Sequence, residues 1–515
     1  MHRSGAEEEG CPASGHPNPA GCREERDGLE GWSALKLLRV ETLTCAAADT
    51  LEIDMAACHE SYPRSGHETD CATSDRLNEE RGHISTKFGG NVTRGRCAGM
   101  SEVCPEAGTL EVVNAVNTHA SVNTHGSGFH LPASATDGVG TRPFGIYIHV
   151  PFCATRCGYC DFNTYTAGEL GTSASPESWM EGLRRELAAA AEVTGAPTVD
   201  TVFVGGGTPS LLGGDGLADV LAAVRTHFPL TTATEVTTES NPESTSPEFF
   251  DALRSGGFTR VSLGMQSAAQ HVLRVLDRKH TPGRAVAAAQ EARAAGFDHV
   301  NLDLIYGTPG ERDEDLDASL DAVLAAGVDH VSAYALIVED GTALARKVRK
   351  GELPAPDDDV LASRYERIDA RLGEADMSWY EVSNWARGEA GACRHNLGYW
   401  DGGDWWGFGP GAHSHVGGVR WWNVKHPARY ADELSAGRLP VGGSEFLTAD
   451  DIHTERVMLT ARLRTGIPLG DLAAEELRAA QQLVVDGLLI RGGQGFVLTD
   501  RGRLLADAVV RSVLA

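Results

Sequence analysis

Residues 146–162 read IYIHVPFCATRCGYCDF, an apolar run that breaks at Pro151 into three closely spaced cysteines, Cys153, Cys157 and Cys160. The run predicts a buried strand, and the proline and cysteines predict a loop at its end. Thiolates are soft ligands suited to iron–sulfur clusters, and the spacing C-x3-C-x2-C offers three of them. A [4Fe–4S] cubane held by three thiolates keeps one iron open for a chelating ligand. Zinc is the competing reading, but zinc sites favour paired C-x2-C knuckles with four ligands, and no fourth ligand stands at such spacing here. His149 precedes the group but lies on the strand.

Downstream of this stretch the texture alternates. SPESWMEGLRRELAAAAEV (175–193) reads as a helix opened by Ser and Pro, TVDTVFVGGG (198–207) as a buried strand, and GLADVLAAVRTHF (216–228) as a helix. TEVTTESNP, TRVSLGMQS, HVNLDLIYGTPG and HVSAYALIVE continue the strands, with SPEFFDALRSGG, GRAVAAAQEARAAG and DLDASLDAVLAAG between them. Strand and helix in alternation require parallel strands joined by helical crossovers. About six such units fit, short of the eight of a closed barrel, so the expected fold is α/β, a partial (β/α)6 barrel. Polar residues interrupt strands that should be apolar: Glu239, Gln266 and Asp303. Strands buried on both faces tolerate polar groups only with partners, and the C-terminal ends of barrel strands face the site. Ordinary loop hydrogen bonding is the alternative for any one of them taken alone. The glycines of VFVGGGTPS, Gly205 to Gly207 before Thr208, allow close approach of backbone to a ligand, although many strand–helix turns are glycine-rich. Arg278 has the planar fork that grips carboxylates, and also the look of a solvated helix residue.

The flanks read differently. Residues 1–140 show weak hydrophobic periodicity and carry Cys11, Cys22, Cys45, Cys58, Cys71, Cys97 and Cys104 at no repeated spacing. They read as a disordered extension, or as the product of a start site placed too far upstream. The barrel is expected over 141–375. A Trp/Gly-rich stretch, from WYEVSNWAR to GPGAHSHVGGVRWWNVKH, predicts a loop-rich aromatic layer over 376–445 with some antiparallel strands. Residues 446–515 predict helices followed by a hairpin, a winged-helix-like module. The chain's formal charge of −27 argues against a nucleic-acid surface, since phosphates would be repelled over most of the molecule. No transmembrane run and no secretory leader are read, so a cytoplasmic protein is expected.

Tyr159, just before the last cysteine, completes the motif C-x3-C-x-aromatic-C. With GGGTPSLL, TTESNP, SLGMQS, NLDLIYGTPG and HNLGYW, residues 143–515 resemble the coproporphyrinogen oxidase-like radical-SAM family. The resemblance implies S-adenosylmethionine beside the cluster, contacted by Tyr147, Gly206, Gly207, Thr208, Glu239, Gln266, Arg278 and Asp303. Two branches compete. In the oxygen-independent coproporphyrinogen III dehydrogenases a fourth cysteine follows two residues after the third, where this chain has Phe162. Those enzymes also carry an N-terminal segment with no counterpart in residues 1–140. The heme-chaperone branch has the loop CDF and a motif H-N-x-x-Y-W, here Cys160-Asp161-Phe162 and His395 to Trp400. That branch implies heme as ligand, with His395 the candidate axial ligand, and delivery to a heme-requiring apoprotein such as a respiratory enzyme, membrane contact coming only through that partner. A neutral imidazole beside flat aromatics suits heme, though from the residues taken alone a loop-capping histidine with core aromatics is the preferred reading. Cys393 is another candidate iron ligand, and His413 and His415 are further ones, though a loop-packing role is the more economical reading of those two.

Overall fold

The computed structural model describes residues 121–123 and 130–515, which fall within one compact unit. The seven scattered N-terminal cysteines, and most of the segment read as an extension, lie outside the described residues.

The strands in chain order are β1 (Ser121–Asn123), β2 (Phe144–Val150), β3 (Phe152–Cys153), β4 (Tyr165–Thr166), β5 (Val199–Gly206), β6 (Leu230–Ser240), β7 (Arg260–Gln266), β8 (His299–Tyr306) and β9 (His330–Ala335). They continue as β10 (Ser378–Glu381), β11 (Asn384–Ala386), β12 (Asp404–Phe408), β13 (His413–Val416), β14 (Val419–Asn423), β15 (Val441–Phe446), β16 (Ile467–Pro468), β17 (Leu489–Gly492) and β18 (Gly495–Leu498). Six of them, β2-β5-β6-β7-β8-β9, lie side by side and parallel, the partial (β/α)6 barrel. β2 and β5 are buried almost throughout, as continuous apolar runs in a parallel sheet require.

The helices between them follow from local signals. The helix Pro176–Thr194 starts at Ser175, whose hydroxyl accepts from the Ser178 N–H, and stops at Gly195 in the left-handed region. Pro247–Gly256 repeats the pattern, from Ser246 to Gly257. Their apolar stripes, with Trp179, Leu183, Leu187, Phe250 and Leu253, meet Ile146, Val202 and Val261 in the main core.

The Trp/Gly-rich stretch extends this same sheet laterally. β12 pairs parallel with β2, and β13, β14, β15 and β1 follow in antiparallel order. Two-residue alternation sorts its tryptophans: Trp406 and Trp421 are fully buried, edge to face at 4.8 Å, while Trp405 and Trp422 are half-buried with the opposite alternation. On the other flank β9 is followed by the antiparallel hairpin β11-β10.

The C-terminal residues build a separate small core from Val457, Ile467, Leu483, Phe496 and Val509, with β17 and β18 as the hairpin wing. Arg503 joins this module to the barrel: its guanidinium donates to Asp369 at 2.6 Å and lies 4.8 Å over the Trp379 ring. No helix among the described residues is long and apolar enough to cross a membrane.

Candidate functional site

β2 runs straight into the cysteine loop, and the loop is pinned by backbone. Tyr165 N donates to Pro151 O at 2.7 Å, Gly158 N to Leu276 O at 3.1 Å, and Leu344 N to Gly158 O at 2.8 Å. Cys153, Cys157 and Cys160 are free, partly exposed thiols on one cavity at the C-terminal end of the barrel. Burial pushes the Cys160 thiol up to about 12 and raises that of Cys153, so thiolates here require positive charge beside them, as bound iron would provide. Arg278 Nη1 donates to Cys157 Sγ at 3.1 Å and the Thr208 hydroxyl faces Cys153 Sγ at 3.7 Å. No group of three or more His, Cys, Asp or Glu among the described residues converges on a single metal ion. Three thiolates that each take a different iron of a cubane have no need to converge.

The glycine turn after β5 tucks beneath this loop. Gly206 has φ +107°, and a Cβ there would stand 2.6 Å from the His149 ring; at Gly207 it would stand 2.5 Å from the Phe152 carbonyl oxygen. The turn is therefore held against the cysteine loop at a distance only glycine permits. The Gly206 N–H donates to Glu239 Oε2 at 3.0 Å. Burial, and then the neighbouring Asp303, push the Glu239 carboxyl up to about 8. Asp303 accepts from Asn301 at 2.6 Å and from the Ser262 hydroxyl at 2.9 Å, and burial raises its pKa as well. Gln266 sits at φ +65°, a strained conformation for a non-glycine residue, at the end of β7.

Every residue expected to hold the cluster or S-adenosylmethionine lines this cavity except Tyr147. Tyr147 lies one layer behind, against Phe203, with its hydroxyl 3.0 Å from His149 Nδ1. Five buried polar atoms of the lining lack a protein partner: Thr164 Oγ1, Thr237 Oγ1, Ser240 Oγ, Arg278 Nε and Arg260 Nη1. A polar, zwitterionic molecule beside the cysteines would satisfy those at that end, Ser240 Oγ and Arg278 Nε among them, so the residues present fit both groups.

Sequence reasoning missed most of the lower half of the cavity, reaching there only Cys393 and, within the motif, Asn396. Arg260, Asn301, His330, Cys393 and Asn396 line it toward the strand N-termini. A chain of hydrogen bonds runs down from Asp303 through Asn301 to His330 Nδ1 at 2.7 Å, then from His330 Nε2 to the Tyr380 hydroxyl at 2.8 Å. Arg260 is buried, paired with Glu235 at 3.3 Å and donating to the carbonyls of Gly391 and Ala392. Glu235, Arg260 and His330 are polar residues early in buried strands, the same signal that marked Glu239 and Asp303, applied at the other end.

The helix Arg394–Trp400, which carries the H-N-x-x-Y-W motif, closes that end, and its His395 N–H donates to Glu235 Oε1 at 3.0 Å. His395 was expected to offer a nitrogen to iron, and its geometry differs from that expectation. It is 2% exposed, its Nδ1 lies 2.8 Å from Thr201 Oγ1, and its Nε2 lies 2.8 Å from the Tyr399 hydroxyl. Both ring nitrogens are taken, and burial pulls the imidazole down to about 3, so it stays neutral. Cys393 is likewise buried, beside Glu235.

Comparison with known proteins gives the following. The Radical SAM superfamily model matches residues 147–323, and the HemN C-terminal domain model matches 447–505. The heme chaperone HemW of Mycobacterium tuberculosis is 65% identical over 373 residues, 72% of this chain and 95% of that protein. HemW of Bacillus subtilis is 31% identical, covering 72% of this chain and 98% of its own, and HemW of Escherichia coli is 31% identical with the same coverage. Among solved structures, the coproporphyrinogen III oxidase HemN of Escherichia coli superposes with a TM-score of 0.65 at 23% identity, over 75% of this chain and 93% of that one, a likeness of fold.

Proposed function

The chain belongs to the HemW family of radical-SAM proteins, and from that premise we propose that it is a heme chaperone carrying a [4Fe–4S] cluster and S-adenosylmethionine. The observation that carries the reading is the 65% identity to a heme chaperone across 95% of that protein's length. Phe162, which lines the cavity where the dehydrogenase branch has a further cysteine, supports the same choice. Cys153, Cys157 and Cys160 would hold the cluster, which, when reduced by an external donor, would supply an electron for cleavage of the sulfonium. Gly206, Gly207, Thr208, Glu239, Gln266, Arg278 and Asp303 would bind and orient S-adenosylmethionine, with Tyr147 supporting them from behind Phe203. The heme would be handed to a heme-requiring apoprotein, such as a respiratory enzyme, from the cytoplasm.

The test is anaerobic purification and reconstitution, followed by iron and sulfide quantitation, hemin titration, and incubation with coproporphyrinogen III, S-adenosylmethionine and a reductant. The expected result is about four non-heme irons per chain, stoichiometric heme uptake and no decarboxylation. Formation of protoporphyrinogen IX would overturn the chaperone reading in favour of a radical-SAM dehydrogenase.

A further inference from the structure

If the cargo is heme and both nitrogens of His395 are engaged, the iron needs another ligand. His415 meets the requirements that His395 does not. It lies on β13, opposite Trp405 of β12 and Arg420 of β14, and it is partly exposed. Its Nδ1 stands 2.9 Å from the Gly403 carbonyl oxygen. A carbonyl only accepts, so Nδ1 carries the proton and the lone pair is on Nε2. Nε2 makes no hydrogen bond among the described residues. An imidazole whose N–H is donated to a backbone carbonyl, leaving the other nitrogen open, is the arrangement that orients histidine ligands at metal sites. Burial pulls the ring below the ordinary histidine range, which keeps that lone pair unprotonated at neutral pH.

The surroundings are aromatic on the β12 side, with Arg420, ion-paired to Glu445 and Glu455, on the β14 side, a setting for a flat ring that also carries carboxylates. The Trp405 ring lies 5.1 Å from the His415 ring, and Tyr399 lies 4.7 Å from Trp405, edge to face. His413 and Trp422 stack at 5.7 Å in the neighbouring register pair of the same two strands. The row Tyr399–Trp405–His415 thus begins inside the H-N-x-x-Y-W helix and ends on a half-buried sheet face. In this arrangement His395 positions Tyr399 through the Nε2 contact, and the motif contributes its aromatic wall rather than its histidine.

We infer that His415, flanked by Trp405 and Tyr399, is an axial ligand for heme iron on the face of the β12–β13–β14 sheet. The inference rests on the heme-chaperone reading. Its test is titration of the full chain and its variants with hemin, followed by absorption and electron paramagnetic resonance spectra. Wild type should show a histidine-ligated ferric heme. His415→Gly should bind hemin at least about tenfold more weakly, the lower end of what even an orienting partner is worth. Added imidazole should restore the wild-type spectrum in that variant. His415→Met retains bulk and should replace the histidine signature with that of a thioether ligand, which guards against a misfolded glycine variant. Wild-type spectra in both variants would overturn the assignment and leave the chaperone reading standing. Absence of heme uptake by wild type would overturn both.

Discussion

His395→Ala separates a structural histidine from a ligating one. The imidazole bridges Thr201 of β5 and Tyr399 of its own helix, and stacks on Phe203 at 5.2 Å. Removing it strands the hydroxyl of Thr201, a residue 6% exposed, at a cost of about 1–3 kcal/mol. The partly exposed Tyr399 hydroxyl can recover a water, so its loss is smaller. Truncating a fully enclosed ring to a methyl group leaves a cavity beneath the barrel, and such changes cost about 2–5 kcal/mol. The two losses overlap, so the expected total is about 3–5 kcal/mol. Urea denaturation of the full chain should show a lowered midpoint with an unchanged slope. A double-mutant cycle with Thr201→Val should return a coupling of about 0.5–3 kcal/mol, because the two side chains share one bond. A histidine poised for iron would behave in the opposite way, with heme lost and stability nearly untouched. A midpoint shift equivalent to less than about 1 kcal/mol would refute the reasoning, since a single stranded buried hydroxyl already costs that much.

Gly207→Ala places a methyl carbon 2.5 Å from the Phe152 carbonyl oxygen and 3.0 Å from that of Val150, both backbone, so the turn must move away from the cysteine loop. Iron per chain after anaerobic reconstitution should fall sharply while the far-ultraviolet spectrum is retained; full iron loading would count against the close approach. Arg503→Met removes the link between the C-terminal module and Asp369, whose side chain is 26% exposed, so the cost should lie somewhat below the ~3–5 kcal/mol of a fully buried pair. Limited proteolysis should then release the module faster than from wild type, and an unchanged rate would refute the link. Burial pushes the Glu186 carboxyl up to about 7, although Tyr430, Gly409 and Asn423 all donate to it. A folded-state pKa above the unfolded value gives stability that is complete below the unfolded value and lost as pH rises to the folded one. Relative to wild type, Glu186→Gln should therefore cost less at about pH 7.5 than at about pH 5, by up to about 3 kcal/mol, as read from urea midpoints. A difference that grows with pH would contradict it.

The cluster motif, the order of strands and helices, and most of the upper cavity were legible from residues alone, and for local reasons. Cys153, Cys157 and Cys160 lie within eight consecutive residues, so loop geometry alone brings them together. Glu239, Gln266 and Asp303 announce themselves because each breaks the apolar pattern of its own strand. Gly206 and Gly207 needed the fold for their meaning, since only the path of β2 past β5 shows which carbonyl a side chain would strike. The Trp/Gly stretch was read as a layer, and the pairing of β12 with β2 makes it a continuation of the sheet; strand partnership is a long-range choice that periodicity does not encode. His395 shows the gap most clearly. Its place in a motif with Tyr399 and Trp400 suggested an open ligand, while the contact with Thr201, 194 residues away, closes it. What a side chain is was written in the chain; whether its lone pair remains free depended on which distant strand came to lie against it.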